Sequence, residues 1–206
     1  MNMEQETIVA ELQEMYEYFC GEKMKLEDVQ LILNMSQIRI YPKGEMIQGI
    51  QQPLIYTGLI LKGIARSYYL DAEGSEITKY FSREGNLVMD EGLLGYEQSI
   101  AALEALEDSV VLLIKTAKLK QLIRTNDTFK NLYIACLEWA LRYKIHRESE
   151  FLKKNATERY LQFCKDFPEL INRVKQSYIS TYLGITPESL SRIRKTLKSD
   201  RKDEVI

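Results

Sequence analysis

Glu188, Ser189, Ser191, Arg192 and Lys195 fall within eight residues near the C-terminus, in QSYISTYLGITPESLSRIRKTL (176–197). An arginine there can donate two hydrogen bonds to guanine O6 and N7, and a glutamate can accept from cytosine N4. Thr186 reads as an N-cap, and Pro187, with φ already near its helical value, as the first helical residue. A helix starting there leaves these five residues outward. Leu190 and Ile193 form its inner face. Before it, Ile179 and Leu183 line one side of a second segment. Small Ser180 lets the two helices approach, and Ile185 plugs the turn. Gly184 supplies the positive φ of a tight helix–helix turn. Arg194, Lys195 and Lys198, late in the second, can contact phosphates, and Ser177, at the start of the first segment, is a further candidate DNA contact. The pattern alone also fits an ordinary corner between two helices. The reading as a DNA-binding helix-turn-helix rests on every structural position being suitably filled and on the local charge.

The whole chain carries a net charge of −2 over 206 residues. From Asn172 to Lys202, however, the cations are Arg173, Lys175, Arg192, Arg194, Lys195, Lys198, Arg201 and Lys202, against Glu188 and Asp200. Phosphate binding needs such a local excess, whatever the sign of the total.

Other chemistries lack their residues. Cys20, Cys136 and Cys164 are far apart, without CxxC spacing, so neither a disulfide framework nor a zinc site is expected. His146, the one histidine, cannot by itself form a metal site or a Ser-His-Asp triad. KGEMIQGI has two glycines but not the spacing of a phosphate loop. We therefore expect no enzyme activity, no metal and no cofactor. The longest aliphatic run, Val110 to Ile114, is too short to span a bilayer, and the N-terminus lacks a signal-peptide core. A cytoplasmic protein with no membrane partner is expected.

Three textures position these residues. Residues 1–117 form a first domain, with short helices in IVAELQEMYEYF and LEDVQLILNM. Strands follow in QIRIYPKGE, LIYTGLILKG, IARSYYL and EITKYF. DAEGS reads as a hairpin loop with Gly74 left-handed. Many short strands at this spacing predict two packed sheets. Residues 118–154 hold a short helix, then a long one capped by Asp127 or Thr128. Leu132, Cys136, Trp139 and Tyr143 repeat along it at four- and three-residue steps, as in a coiled coil, and are the expected dimer seam. Ile134, Leu137, Leu141 and Ile145 lie off that seam, so the helix must bury more than one face. A twin helix in a homodimer and the core of a monomer are the two ways to do so; the length favours the dimer. Residues 155–206 hold shorter helices, broken at Phe167-Pro168.

ATERYLQFCKDFPELINRV followed by SYISTYLGITPESLSRIRKTL resembles the C-terminal domain of the Crp/Fnr family of bacterial transcription regulators. GLILKGIARSYYLDAEGSEITKYF resembles that family's β-roll, and LEALEDSVVLLI its closing strands. The similarity runs from about residue 20 to 198. It implies an α+β chain: an N-terminal double-stranded, jelly-roll-like β-roll that binds an effector, a long dimerisation helix and an all-α helix-turn-helix domain. It further implies a homodimer on a two-fold symmetric duplex, Glu188, Ser189 and Arg192 at the base-reading positions, and RNA polymerase as a further partner.

The chain departs from the family in two places. Cyclic-nucleotide-binding members carry a Gly-Glu pair, a short helix, then Arg-Ser or Arg-Thr. In NLVMDEGLLGYEQSIAAL, Met89 stands for the glycine, Asp90 for the glutamate and Gln98 for the arginine, leaving Ser99. A buried phosphate without its cation is strongly disfavoured. Cyclic AMP is therefore not the expected effector, and the pocket is either altered or filled by its own side chains. Cys20 cannot hold an iron–sulfur cluster alone, and His146 is misplaced for haem, so the effector stays unnamed. The last residues, LKSDRKDEVI, read as too short and too charged for the β-hairpin wing usual in the family. The competing reading is a ligand-binding regulatory module of the same fold that no longer binds DNA.

Overall fold

A computed structural model describes residues 3–203, with side chains for 6–199. The chain opens with two helices, α1 (Met3–Cys20) and α2 (Leu26–Met35). Eight strands follow: β1 (Ser36–Tyr41), β2 (Met46–Gln48), β3 (Tyr56–Lys62), β4 (Ala65–Leu70), β5 (Glu76–Ser82), β6 (Leu87–Val88), β7 (Ala102–Ala105) and β8 (Ser109–Lys115). They form two four-stranded sheets, ordered β1-β8-β3-β6 and β2-β7-β4-β5, the two layers of the expected β-roll.

β8 explains the first sheet. It pairs antiparallel with β1, from Ser36 opposite Ile114 to Tyr41 opposite Ser109, and on its other edge with β3. A strand with neighbours on both edges and cover on both faces reads as a continuous apolar run, and SVVLLIK does. Its period of two divides the core. Val111 and Leu113 join Leu54, Ile60, Val88, Leu103 and Ala105 in one cluster, which draws on both sheets. Leu112 and Ile114 join Leu12 and Met15 of α1, Val29 and Ile32 of α2 and Leu59 of β3 in the other. Each Val, Leu, Ile or Met side chain so buried stabilises the fold by about 1.5–3 kcal/mol. Gly58 is needed where the sheet is tightest: a Cβ there would lie 2.9 Å from Val111 Cγ1. The hairpin loop between β4 and β5 turns on Gly74 (φ +83°), as expected. Asp71 Oδ1 accepts from the amides of Glu73 (2.9 Å) and Ser75 (2.8 Å) and so closes it.

Five helices complete the chain after α3 (Thr116–Thr125): α4 (Asp127–Lys153), α5 (Ala156–Asp166), α6 (Leu170–Arg173), α7 (Gln176–Tyr182) and α8 (Pro187–Asp203). The cap of α4 differs from expectation. Asn126, not Asp127 or Thr128, accepts the orphan amide, that of Thr128, at 2.9 Å. Thr128 and Asn126 instead donate to the two oxygens of buried Asp28, at 2.7 and 2.8 Å. This carboxylate beside the positive end of α4 ties α2 to the helix start.

The described residues form two compact units, 3–67 with 81–141 and 68–80 with 142–203. These differ from the three stretches read from sequence texture, at 117 and 154. The long helix runs unbroken from one unit into the other, and the tip of the β4–β5 hairpin belongs with α5–α8. The residues after Lys198 continue α8 through Asp203; the side chains of Arg201 and Lys202 lie outside the described residues. No described helix is long and apolar enough to cross a membrane.

Candidate nucleic-acid interface and the effector region

The turn between α7 and α8 is built as its residues suggest. Gly184 has φ +67°, and a Cβ on it would lie 2.9 Å from the ring of Phe151. Ile179, Ser180, Leu183 and Leu190 are buried, while Ile185 and Ile193 are half-buried. Thr186 Oγ1 accepts from the Ser189 amide at 3.2 Å and caps α8. The carbonyls ending α7 are taken by two arginines: Arg147 donates to Tyr182 O at 2.9 Å and Arg159 to Leu183 O at 3.2 Å. The Arg147 guanidinium also lies over the Tyr182 ring, 3.8 Å from its centroid. Neither arginine was assigned a role from sequence, because each sits on a different helix from the carbonyl it serves.

Opposite that inner face, Glu188, Ser191, Arg192, Lys195 and Lys198 are exposed, as are Ser177 and Thr186; Ser189 and Arg194 are half-buried. Ser189 holds a middle place. Its hydroxyl receives from Arg192 Nη2 at 3.1 Å and from Thr186 Oγ1 at 3.2 Å. Glu188 is held below the ordinary carboxylate range by the backbone amide, the Thr186 hydroxyl and the Arg192 charge, in that order. It therefore stays ionised, an acceptor only.

The long helix turns a different face outward from the one its heptad steps suggested. Leu132 is buried and Cys136 packs in the same cluster, both facing the core of their own chain. Tyr143 is hydrogen-bonded to Tyr182 at 3.0 Å. Trp139, 43% exposed, meets the Phe19 ring edge-on at 6.3 Å. The exposed apolar stripe is instead Ile134 (48%), Leu137 (38%), Leu141 (59%) and Ile145 (57%). Both sets repeat at helical spacing, so the period alone could not say which faced inward. His146 is not isolated either. Its Nε2 lies 3.2 Å from Glu150 Oε1, with Asp166 close by. Lys154 occupies the same Glu150 oxygen at 2.8 Å, and Gln162 donates to Asp166. Lys154 thus supplies the cluster with a cation of its own.

In the effector region, Met89 is buried among Leu54, Val88 and Leu103, where its side chain takes up part of the roll's interior. Its backbone is left-handed, φ +58°, a conformation glycine adopts freely and methionine does not. Asp90 opens a short 3-10 turn ending at Gly92. Gln98 is exposed, opposite Pro53 in a single bridge. Ser99 is buried and its hydroxyl is spent on the Ala101 carbonyl at 2.6 Å.

The family model of the cyclic nucleotide-binding domain matches residues 38–126. No curated protein sequence matches the chain. Among solved structures, FixK2 from Bradyrhizobium japonicum is similar at TM-score 0.71 and 24% identity, over 80% of this chain and 85% of that one. CLP, the c-di-GMP responsive global regulator of Xanthomonas campestris, is similar at 0.70 and 18%, over 85% and 93%. The Thermus thermophilus catabolite activator protein is similar at 0.56 and 22%, over 88% and 86%. The likeness is one of fold: a cyclic nucleotide-binding domain followed by a long helix and a helical C-terminus is the architecture this chain shares with these three proteins.

Proposed function

We propose that this protein binds duplex DNA as a homodimer and regulates transcription, with α8 as the reading helix. One observation carries the reading. α8 buries Leu190 behind a Gly184 turn while its other face presents Glu188, Ser191, Arg192, Lys195 and Lys198 to solvent. An amphipathic helix with that charge on its free edge has the chemistry of a major-groove reader. Arg192 and Glu188 read bases; Ser177, Arg194, Lys195 and Lys198 hold the backbone.

The dimer forms through the outward stripe Ile134, Leu137, Leu141 and Ile145. Apolar side chains this exposed along one helix face are costly unless a partner covers them. Two-fold pairing of the helices places two reading helices about 34 Å apart, on successive major grooves of a symmetric operator. The β-roll tunes DNA affinity through an effector other than cyclic AMP, since Met89 fills the place of the close phosphate approach and Gln98 brings no cation. RNA polymerase is a further partner, and the cytoplasm, where the DNA lies, is the place of action. Selection of binding sites from a randomised duplex library by the purified protein tests the reading. A symmetric motif with two half-sites is expected. Recovery of no motif at low salt would leave the rival, a regulatory module without DNA binding.

A further inference from the structure

On the helix-facing side of the first sheet lies a partly open cavity of about 60 Å³. Met15 of α1, Ile32 of α2, Leu112 of β8, Ile123 of α3 and Leu132 of α4 contribute to its wall, as does Leu93, just after the 3-10 turn. It is not the interior of the roll. Leu112 lines the cavity, whereas its neighbours Val111 and Leu113 point into the other cluster with Met89. Among the described residues, apart from the Met15 thioether, the polar side-chain groups in the wall are the Tyr133 hydroxyl and the Cys136 thiol. Burial pushes both of these up in pKa, and nearby charge, including Asp90, adds to it. Both are therefore uncharged at neutral pH. A cavity of this composition offers too few polar partners to hold water in place and accepts an apolar guest instead. Charged guests are excluded, because no group in the wall could pair with them.

We propose that this cavity is a binding site for the apolar end of a short, uncharged alkyl compound. Roughly 10–15 Å³ admits one water-sized group, so the space takes about four carbon atoms. Whatever the chain carries beyond them lies in the open side. A guest here touches Leu93, next to the region where the family's nucleotide cassette would sit, and Leu132 and Cys136 of the long helix. It bridges the two parts of the roll unit through which an effector could act on α4. The binding itself does not depend on the DNA reading above; only its regulatory meaning does.

The probes are the straight-chain alcohols from ethanol to 1-octanol, titrated into the full chain. Trp139, the single tryptophan and one turn beyond Cys136, reports by fluorescence, and xenon-pressurised crystals locate the site. Affinity is expected to rise about fourfold per methylene, the value of one buried CH2 group, up to about four carbons. Beyond that it should level off, and hexanoate should bind far more weakly than 1-hexanol. Leu93→Phe should abolish the rise, and Leu93→Ala, which enlarges the space, should extend it by one or two carbons. If Leu93→Phe does not fold, the Ala variant and the xenon density decide alone. Affinity flat with chain length, equal binding of hexanoate, or xenon elsewhere than beside Leu93 and Leu132 would each overturn the proposal.

Discussion

The hydroxyls of Thr78 in β5 and Thr181 in α7 lie 2.8 Å apart, 103 residues distant in the chain. Thr181 Oγ1 also receives the Thr78 amide at 3.3 Å and can give its own proton to Tyr178 O at 3.2 Å. One consistent proton assignment follows: Thr78 donates twice and Thr181 passes its hydrogen to its own helix. The pair fastens the hairpin tip to the first helix of the helix-turn-helix inside one compact unit. Thr78 is 1% exposed, so a missing partner is not replaced by water. Thr181→Val should destabilise the protein by about 1–3 kcal/mol. Thr78→Val should cost less in the Thr181→Val background than alone. Denaturant melts of the two single variants and the double variant measure the coupling; strictly additive losses would show that the pair does not act as one.

Arg192 and Lys198 should fail differently. Arg192→Ala is expected to cost about 1–3 kcal/mol on the selected site and to relax one base pair per half-site. Lys198→Ala should weaken all sequences alike and lower the salt slope by about one unit for each phosphate it no longer neutralises. Repeating the library selection with each variant distinguishes them. An unchanged motif for Arg192→Ala with an altered one for Lys198→Ala would reverse the docking drawn for α8.

Leu141→Glu and Ile145→Glu should give monomers by sedimentation, with a native circular dichroism spectrum, since both side chains are more than half exposed. Cys136→Glu, by contrast, should unfold the first unit, because it puts a charge into the α1–α4 core. A dimer that survives both stripe variants at micromolar concentration would remove the stripe as the interface.

Calorimetric titration with cyclic AMP and cyclic GMP should show no binding at physiological concentrations. Met89 occupies part of the interior, and Gln98 stands exposed where the resemblance puts an arginine. Micromolar affinity for either nucleotide would refute this role for Met89 and Gln98.

Burial chiefly, with Cys20 and Asp90 nearby, pushes the Cys136 thiol from its ordinary 9.0 up to about 12. Unfolded, it ionises near its ordinary value; folded, it keeps its proton. The unfolded state therefore binds fewer protons between those limits, and stability must fall as pH rises through that window. Cys136→Ala should lower the melting temperature at neutral pH yet flatten its decline from pH 9 to 10. A decline as steep as in the parent protein would assign it to other groups, such as the buried tyrosines.

By itself the sequence determined the parts whose causes are local. The Thr186 cap, Pro187 after it, the positive φ of Gly184 and the outward Arg192 each follow from residues within a turn or two. The Gly74 loop is legible for the same reason. Met89 for glycine and Gln98 for arginine can be seen against a known pattern without coordinates. Tertiary structure decided what joins distant residues. Asp28 bonds to Thr128 across 100 positions, and Thr78 to Thr181 across 103, and no periodicity marks either partner. The face that α4 buries belongs to this class. Leu132 and Cys136 repeat at helical spacing, and so do Ile134, Leu137, Leu141 and Ile145. Only the position of α1, α2 and β8 decides which set meets the core, because burial energy depends on the neighbour a side chain finds, and the neighbour is set by the fold.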